Sequence, residues 1–307
     1  MAIPIVLDCD PGHDDAIALL LALASPEVEL LGVTTTYGNQ TLEKTTANAL
    51  RVLELVGRTD VPVAAGADRP LVRELAVADH VHGESGLDGP ALPPPSAKPV
   101  EADAVTFMAE QIAAAGRPVT LVPTGPLTNV ARFLELHSPA NVERIVLMGG
   151  SIGEGNVTPA AEFNIWCDPE AAERVFRRGL DVTMIGLDVT HKAIAGLGVT
   201  ARLREAGRVG VFIAELIEFF SLYHRRTYGW DGAPIHDAVA VATVIRPGLV
   251  ETRHVNVEIE VESELCRGRT VVDRWGRTDR PPNVQVGVDV DADGFFDLLV
   301  ERIATLD

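Results

Sequence analysis

The sequence contains little cysteine and comparatively few basic residues, and each shortage excludes a class of protein. Its three cysteines, Cys9, Cys167 and Cys266, are widely scattered and show no metal-binding spacing. We therefore expect free thiols in a reducing, cytoplasmic compartment. Lysine and arginine together number 26 against 44 acidic residues, which gives a net charge of −18. Such an acidic excess argues against nucleic acid and anionic membrane surfaces as partners.

The hydrophobic segments that membranes and secretion require are also missing. The longest strongly apolar helix that the pattern predicts, residues 16–24, is too short to cross a bilayer. No charged leader precedes an apolar segment, so we expect neither a signal peptide nor a membrane partner. The sequence has no internal repeat and no clear linker, and residues 1–307 are predicted to form a single domain.

Short apolar runs alternate with helical periodicity along most of the chain. This alternation predicts βαβ units and an α/β fold, with an open, mostly parallel, Rossmann-like sheet flanked by helices. The predicted strands cover residues 3–7, 28–36, 61–65, 119–122, 144–148 and 182–187. Segments 255–261, 270–272 and 284–290 are expected to form a meander or edge strands, and residues 295–303 a closing helix.

Four carboxylates crowd the turn after the first strand, in the stretch Asp8-Cys-Asp10-Pro-Gly-His-Asp14-Asp15. A helix N-terminus stabilises nearby negative charge by only about 1 kcal/mol, so a cation, a shared proton or open solvent must offset the repulsion. Carboxylates without a nearby Cys or His set favour Ca²⁺ or Mg²⁺. A helix cap with a solvated acidic loop is the alternative.

Other polar loops follow later strands, at Asn39, at Thr124, over residues 148–164 and at His236-Asp237. The carboxyl ends of parallel strands share one edge of a sheet, so we expect these loops to meet in one crevice. Their oxygen atoms suit a hard cation and the hydroxyls of a polyol. No Ser or Cys nucleophile stands beside a His in these loops, which argues against acyl transfer.

Taken together, these motifs closely resemble those of the inosine-uridine-preferring nucleoside hydrolase family. The matching segments run in order along nearly the whole chain: Asp10-Pro-Gly-His-Asp-Asp, Tyr37-Gly-Asn, His82-Gly-Glu-Ser-Gly-Leu, Thr124-Gly-Pro-Leu-Thr-Asn, Met148-Gly-Gly, Ala161-Glu-Phe-Asn-Ile and His236-Asp237. The resemblance implies the nucleoside hydrolase fold. It also implies an enzyme that depends on Ca²⁺ and hydrolyses the N-glycosidic bond of ribonucleosides to ribose and free base.

The resemblance also assigns roles to individual residues. The metal ligands would be the carboxylates of Asp10, Asp15 and Asp237 and the main-chain carbonyl of Thr124. Asp10 would in addition activate a metal-bound water. The substrate-binding residues would be Asp14, Asn39 and Asn164 at the ring hydroxyls, Asn156 and Glu162 at the 5′-hydroxyl, and Met148 under the sugar, with Phe163 beside them.

His236 and His82 are the expected groups beside the departing base, because histidine is the usual acid near neutral pH. A single loop histidine is more often structural, so that alternative stays open. Residues 209–224 are predicted to be helical, and segment 219–230 is expected to end this helix and cover the base with His224 and Tyr228. This segment resembles the bacterial pyrimidine-preferring branch, which implies uridine and cytidine as preferred substrates.

Three other functions remain open. The chain could be a broad-specificity inosine-uridine hydrolase, or a Ca²⁺-dependent ribose- or nucleoside-binding protein without turnover. The Asp8-x-Asp10 pattern also resembles haloacid-dehalogenase-type phosphatases, although Pro11 and Gly12 stand where those enzymes have a small hydroxyl residue. The family resemblance further implies a homodimer or homotetramer as the assembly.

Overall fold

The computed structural model describes residues 1–306 and consists of a central sheet with helices on both faces. Its strands are β1 Ile3–Cys9, β2 Val28–Thr35, β3 Val63–Ala65, β4 Val119–Pro123, β5 Val142–Met148, β6 Val182–Ile185, β7 Ile194–Gly196, β8 Gly232–Pro234, β9 Val250–Val255, β10 Val257–Ile259, β11 Thr270–Val272 and β12 Val284–Val290. Its helices are α1 His13–Ala24, α2 Leu42–Leu55, α3 Asp79–His82, α4 Ala104–Ala114, α5 Thr128–Leu136, α6 Phe163–Cys167, α7 Pro169–Phe176, α8 Leu187–Thr190, α9 Leu197–Glu205, α10 Arg208–Tyr228, α11 His236–Ile245 and α12 Ala292–Ile303.

The central sheet has eight strands in the order β3-β2-β1-β4-β5-β6-β12-β9. All neighbouring strands run parallel except β9, which is antiparallel to β12. The predicted fold class, an open and mostly parallel sheet flanked by helices, is therefore confirmed. Strand β1 lies inside the sheet, so its carboxyl end opens between the loops that follow β2 and β4.

Strand β1 shows why the sheet is covered on both faces. The side chains of Ile5 and Leu7 belong to one hydrophobic core, and the side chain of Val6 belongs to the other. All three are fully buried. Because successive side chains of a strand point to opposite faces, a continuous apolar run fits only a sheet with helices on both sides.

Three expectations about the second half of the chain need correction. Strand β12 lies inside the sheet, parallel to β6, and β9 forms the edge beyond it. Its alternating sequence resembles a half-exposed strand because residues 288–290 are not buried, although Val284 and Val286 belong to the core. Helix α10 extends to Tyr228, beyond the predicted end at residue 224, and is capped by Gly229 with φ +72°. His236-Asp237 follows β8, which pairs with β7 outside the central sheet.

Candidate active site

A cleft lies above the carboxyl ends of β1, β2, β4 and β5. The first turn of α11 reaches the same place, so His236 and Asp237 join the cleft although no central strand precedes them. Nearly all the predicted site residues line it: Asp14, Asn39, His82, Thr124, Met148, Asn156, Glu162, Phe163, Asn164, His224, Tyr228, His236 and Asp237. Asp10 and Asp15 are fully buried just below its floor.

Three carboxylates on the floor of the cleft lie close enough to share a cation. Asp14, Asp15 and Asp237 each offer an oxygen atom within 4.8 Å of the others, and all three are buried. Burial, reinforced by neighbouring carboxylates, raises the pKa of Asp14 to about 7 and the pKa of Asp237 well above its usual value. A bound cation would lower these pKa values again, because it favours the ionised carboxylates.

Asp15 holds the loops after three strands together. Its Oδ1 accepts hydrogen bonds from the Thr124 hydroxyl at 2.8 Å and from the Asp10 amide at 3.3 Å. Its Oδ2 accepts from the Gly12 amide at 3.1 Å and from the Asn39 side-chain amide at 2.8 Å. These donors follow β1, β2 and β4, so one carboxylate fixes the geometry of the cleft floor.

Asp10 is enclosed where only glycine leaves room for it. Its Oδ2 accepts a hydrogen bond from the Asn39 amide, and its Oδ1 has no hydrogen-bond partner within residues 1–306. A Cβ atom on Gly38 would lie 2.1 Å from Oδ2, and one on Gly125 would lie 2.5 Å from Oδ1. A buried carboxylate oxygen without a partner is costly, so this atom is available to a ligand, a water or a proton.

The polar groups along β5 and α6 are ordered by their own backbone. The Glu162 carboxylate accepts hydrogen bonds from the amides of Gly150, Asn164 and Ile165. Burial nevertheless raises its pKa to about 7. The Asn164 side chain donates to the Thr124 carbonyl at 2.7 Å. The predicted metal ligand at residue 124 therefore has one hydrogen bond already and a second lone pair free.

Asn156 and Met148 complete this side of the cleft. The carbonyl oxygen of the Asn156 side chain accepts from the Phe163 amide at 2.9 Å. Its NH₂ group is therefore the part that can donate to a ligand. The carbonyl and the sulfur atom of Met148 lie 3.2 Å and 3.6 Å from Nδ2 of Asn164. Both contacts are short in sequence, since Asn156 and Phe163 are 7 residues apart and Met148 and Asn164 are 16 residues apart.

Histidines and aromatic rings form the opposite wall. Nδ1 of His236 lies 2.7 Å from the Thr190 hydroxyl, and Nδ1 of His224 lies 3.0 Å from the Phe220 carbonyl. Burial lowers the pKa of His224 to about 4 and the pKa of His236 well below its usual value. Both rings are therefore neutral near pH 7. Tyr228 stacks on Trp230 with 4.5 Å between ring centroids.

Two residues of this wall lie in the segment expected to cover the base but were not assigned to the site, and a third was not expected there. Phe220 and Tyr223 line the cleft together with His224, and their spacing along one helix face could have indicated this. His191 also lines it, with its ring centroid 4.9 Å from that of Trp230. It follows the four-residue helix α8 and belongs to none of the predicted motifs, so only the fold brings it there.

The site thus combines a mostly parallel α/β sheet, clustered carboxylates at the carboxyl ends of its strands and a wall of imidazole and aromatic rings. The profile of the inosine-uridine preferring nucleoside hydrolases matches residues 5–297. Two curated relatives, each called pyrimidine-specific ribonucleoside hydrolase RihA, align with 99% of this chain. The one from Shewanella sp. (strain ANA-3) is 55% identical over 97% of its length, and the one from Shigella boydii serotype 4 is 54% identical over 99%.

A solved structure of another ribonucleoside hydrolase has the same fold. The purine-preferring ribonucleoside hydrolase from Gardnerella vaginalis superposes with a TM-score of 0.91 at 36% identity, covering 99% of this chain and 98% of its own. The chain therefore belongs to the inosine-uridine preferring nucleoside hydrolase family. Membership confirms the resemblance and the prediction of an N-glycosyl hydrolase that acts on small-molecule nucleosides. Within residues 1–306, no helix has the length and hydrophobicity that a bilayer crossing requires.

Proposed function

We propose that this chain hydrolyses pyrimidine ribonucleosides, chiefly uridine and cytidine, to ribose and the free base. The observation that carries the proposal is the position of Asp14, Asp15 and Asp237 beneath a cleft whose other wall is imidazole and aromatic. Such a cleft can hold a sugar on its acidic floor and a flat base against the rings. The names of both curated relatives support the pyrimidine preference.

We further propose that the cation is Ca²⁺. The proposed ligand atoms are hard oxygens from Asp10, Asp15, Asp237 and the Thr124 carbonyl, the type of ligand that Ca²⁺ prefers. The unpartnered Oδ1 of Asp10 fits this assignment. Asp14 belongs to the same carboxylate cluster, so it lies close to the cation as well as to the sugar. Bound Ca²⁺ would orient the ring hydroxyls and increase the acidity of the attacking water.

The remaining steps depend on the protein's own side chains. Asp10 takes the proton from the attacking water, because its Oδ1 accepts no hydrogen bond from residues 1–306. Glycosidic cleavage passes through an oxocarbenium-like state, and buried carboxylates stabilise the positive charge that develops on the sugar. Asp14 lies on the floor of the cleft, where this charge would appear.

The sugar is held by groups whose other atoms are already occupied. The Asn39 side-chain amide donates to Asp15, which leaves its carbonyl oxygen to accept from a ring hydroxyl. Asn164 also contacts the ring hydroxyls. Glu162 and Asn156 bind the 5′-hydroxyl, and Met148 and Phe163 pack against the sugar.

At the base, His82 and His236 contact the departing ring, and His224 and Tyr228 line the wall around it.

The test is a panel of nucleosides scored for free reducing sugar. Uridine and cytidine should release ribose, and Asp10→Asn should lower kcat by about 10²- to 10⁴-fold, the usual contribution of a positioned base. A binding protein would bind uridine and release no ribose, which would contradict the proposal. We also propose a single-domain, cytoplasmic homo-oligomer, a dimer or tetramer, which sedimentation of the Ca²⁺-loaded protein would test.

A further inference from the structure

We propose that His82 and His236 are held in opposite neutral tautomers, each set by a residue behind it that does not reach the cleft. Thr190 makes His236 a hydrogen-bond donor toward the cleft, and His13 makes His82 an acceptor. His13 and Thr190 are thus positioning residues. The proposal rests on the proposed function only in taking the nucleobase as the group that meets these two rings.

The tautomer of His236 follows from the Thr190 hydroxyl. This hydroxyl lies 2.7 Å from Nδ1 of His236, and within residues 1–306 it has no other hydrogen-bond partner. Thr190 is fully buried, so its single proton must go to Nδ1. A neutral imidazole with an acceptor at Nδ1 carries its proton at Nε2. Because His236 lines the cleft, this Nε2–H group is available to a ligand.

The tautomer of His13 is set by a main-chain carbonyl. Nε2 of His13 lies 2.7 Å from the Asp88 carbonyl oxygen, which can only accept, so Nε2 carries the proton. The ring is fully buried against Phe219, Phe220 and His82 and has no carboxylate within hydrogen-bond distance among residues 1–306. It is therefore neutral, and its Nδ1 is an acceptor.

The His13 ring then dictates the tautomer of His82. The two Nδ1 atoms are 3.1 Å apart, and since that of His13 can only accept, that of His82 must carry the proton. One contact competes: the His13 main-chain amide lies 3.3 Å from the same His82 nitrogen and would be satisfied by a lone pair there. The ring-to-ring contact is shorter, and in the other tautomer it would bring two lone pairs together. His82 thus presents an unprotonated Nε2.

The cleft therefore offers the base one fixed donor and one fixed acceptor. Within residues 1–306, Nε2 of neither His82 nor His236 has a hydrogen-bond partner, and both residues line the cleft. The edge of uracil carries carbonyl acceptors next to an N–H donor, which complements such a pair. The sequence-based expectation placed both histidines beside the departing base without distinguishing their roles.

The tautomers can be read directly in the Ca²⁺-loaded protein labelled with ¹⁵N-histidine. A long-range ¹H–¹⁵N correlation spectrum near neutral pH distinguishes a ring protonated at Nδ1 from one protonated at Nε2. Spectra of His82→Gln and His236→Gln assign the two rings. We expect His82 to be protonated at Nδ1 and His236 at Nε2. Finding both rings in the same tautomer would overturn the proposal.

Matched variants separate positioning from general structure. His13→Phe keeps the stacking but removes the ring acceptor, while the main-chain amide of residue 13 remains, so His82 should switch to the Nε2-protonated form. His13→Asn keeps an acceptor near Nδ1 and should leave His82 unchanged. Thr190→Val has the shape of threonine without its hydroxyl and should release His236 into a mixture of tautomers, whereas Thr190→Ser should not.

Each of these comparisons has an outcome against the proposal. An unchanged His82 signal in folded His13→Phe, or an unchanged His236 signal in Thr190→Val, would contradict it. If His13→Phe does not fold, the comparison of Thr190→Val with Thr190→Ser still tests the proposal, and so does the His82 signal of His13→Asn. The spectra are recorded without substrate, so a failure to hydrolyse nucleosides would contradict the proposed function alone. Conversely, identical tautomers would overturn this inference even if uridine were hydrolysed.

Discussion

The main-chain amide of Asn39 donates a 2.6 Å hydrogen bond to Oδ2 of Asp10. The side-chain amide of the same asparagine donates to Oδ2 of Asp15 at 2.8 Å. One residue after β2 therefore orients two carboxylates after β1, and the carbonyl oxygen of its side chain is the atom that remains for a ligand. The cleft floor is thus ordered by its own hydrogen bonds, which reduces the reorganisation that catalysis requires.

The first prediction concerns the cation. Chelation should abolish uridine hydrolysis, and Ca²⁺ should restore it. Asp237→Asn should weaken Ca²⁺ binding at least about 100-fold, a large effect for a group at a metal site. It should also raise the melting temperature of the chelated protein, because it removes one of three crowded buried carboxylates. Calorimetry with and without Ca²⁺ measures both effects.

Asp231→Asn, at an exposed loop position, serves as the control for this experiment and should change neither property. If Asp237→Asn bound Ca²⁺ as tightly as the unaltered protein, Asp237 would not be a ligand. If chelation left turnover intact, the cation would have no part in the reaction.

The second prediction uses the cradle around Asp10. A Cβ atom on Gly125 would lie 2.5 Å from Asp10 Oδ1 and 3.0 Å from its Cγ, so Gly125→Ala must displace the carboxylate. We expect kcat to fall by about 10²-fold or more, as for a misplaced general base. Gly248→Ala, whose Cβ would meet nothing within 4 Å, should keep full activity. Equal activity of the two variants would show that the position of Asp10 does not matter.

How much of this molecule the sequence predicts depends on the range of the interactions. The strand-to-helix turn at residues 8–15 and the fold class follow from local pattern, because apolar runs, glycines and prolines act over a few residues. The sequence could not show that Thr190 lies behind His236 or that His13 contacts His82, since these pairs are 46 and 69 residues apart. The family motifs include His13 but give it no role, and they do not include Thr190.

The third prediction concerns the sugar's 5′ end. Glu162 is assigned to the 5′-hydroxyl, so kcat/KM for 5′-deoxyuridine should be about 10²-fold or more below that for uridine. Buried polar groups that bind a substrate hydroxyl are left without a hydrogen-bond partner when it is missing. Burial raises the pKa of Glu162 to about 7. The carboxylate is therefore mainly charged at about pH 8 and mainly neutral at about pH 6. Discrimination against uridine 5′-monophosphate should increase with pH across this range.

The phosphate group itself also gains charge near pH 6, so Glu162→Gln is needed as the reference. The part of the pH-dependent discrimination against the nucleotide that disappears in Glu162→Gln is due to the Glu162 carboxylate. A pH dependence identical in the two proteins would place the 5′-substituent elsewhere, and rapid hydrolysis of the nucleotide would contradict the assignment.

The fourth prediction concerns stability in acid. Burial lowers the pKa of His224 from 6.5 to about 4, so between these values the unfolded chain binds more protons than the folded one. Stability from this group is present above about pH 6.5 and is lost as the pH falls toward 4, on the order of 3 kcal/mol in all. His224→Phe should therefore lose less stability than the unaltered protein between about pH 7 and pH 4.5.

Urea unfolding at several pH values measures this difference. His254→Phe, which changes an exposed histidine on β9, is the control and should follow the unaltered protein. Parallel curves for His224→Phe and the unaltered protein would mean that His224 can be protonated in the folded state.

The last prediction concerns which base departs, where His224 is the residue to change. Its Nδ1 faces the Phe220 carbonyl, so this nitrogen carries the proton and Nε2 is an acceptor. Its ring lies nearly parallel to that of Trp230, with 6.0 Å between centroids. We expect kcat/KM for uridine and cytidine to exceed that for inosine by about tenfold or more, and His224→Ala to narrow this gap. Leu222→Ala, at an exposed position on α10, should preserve it. Inosine hydrolysed as fast as uridine by the unaltered protein would instead place the chain among the broad-specificity enzymes.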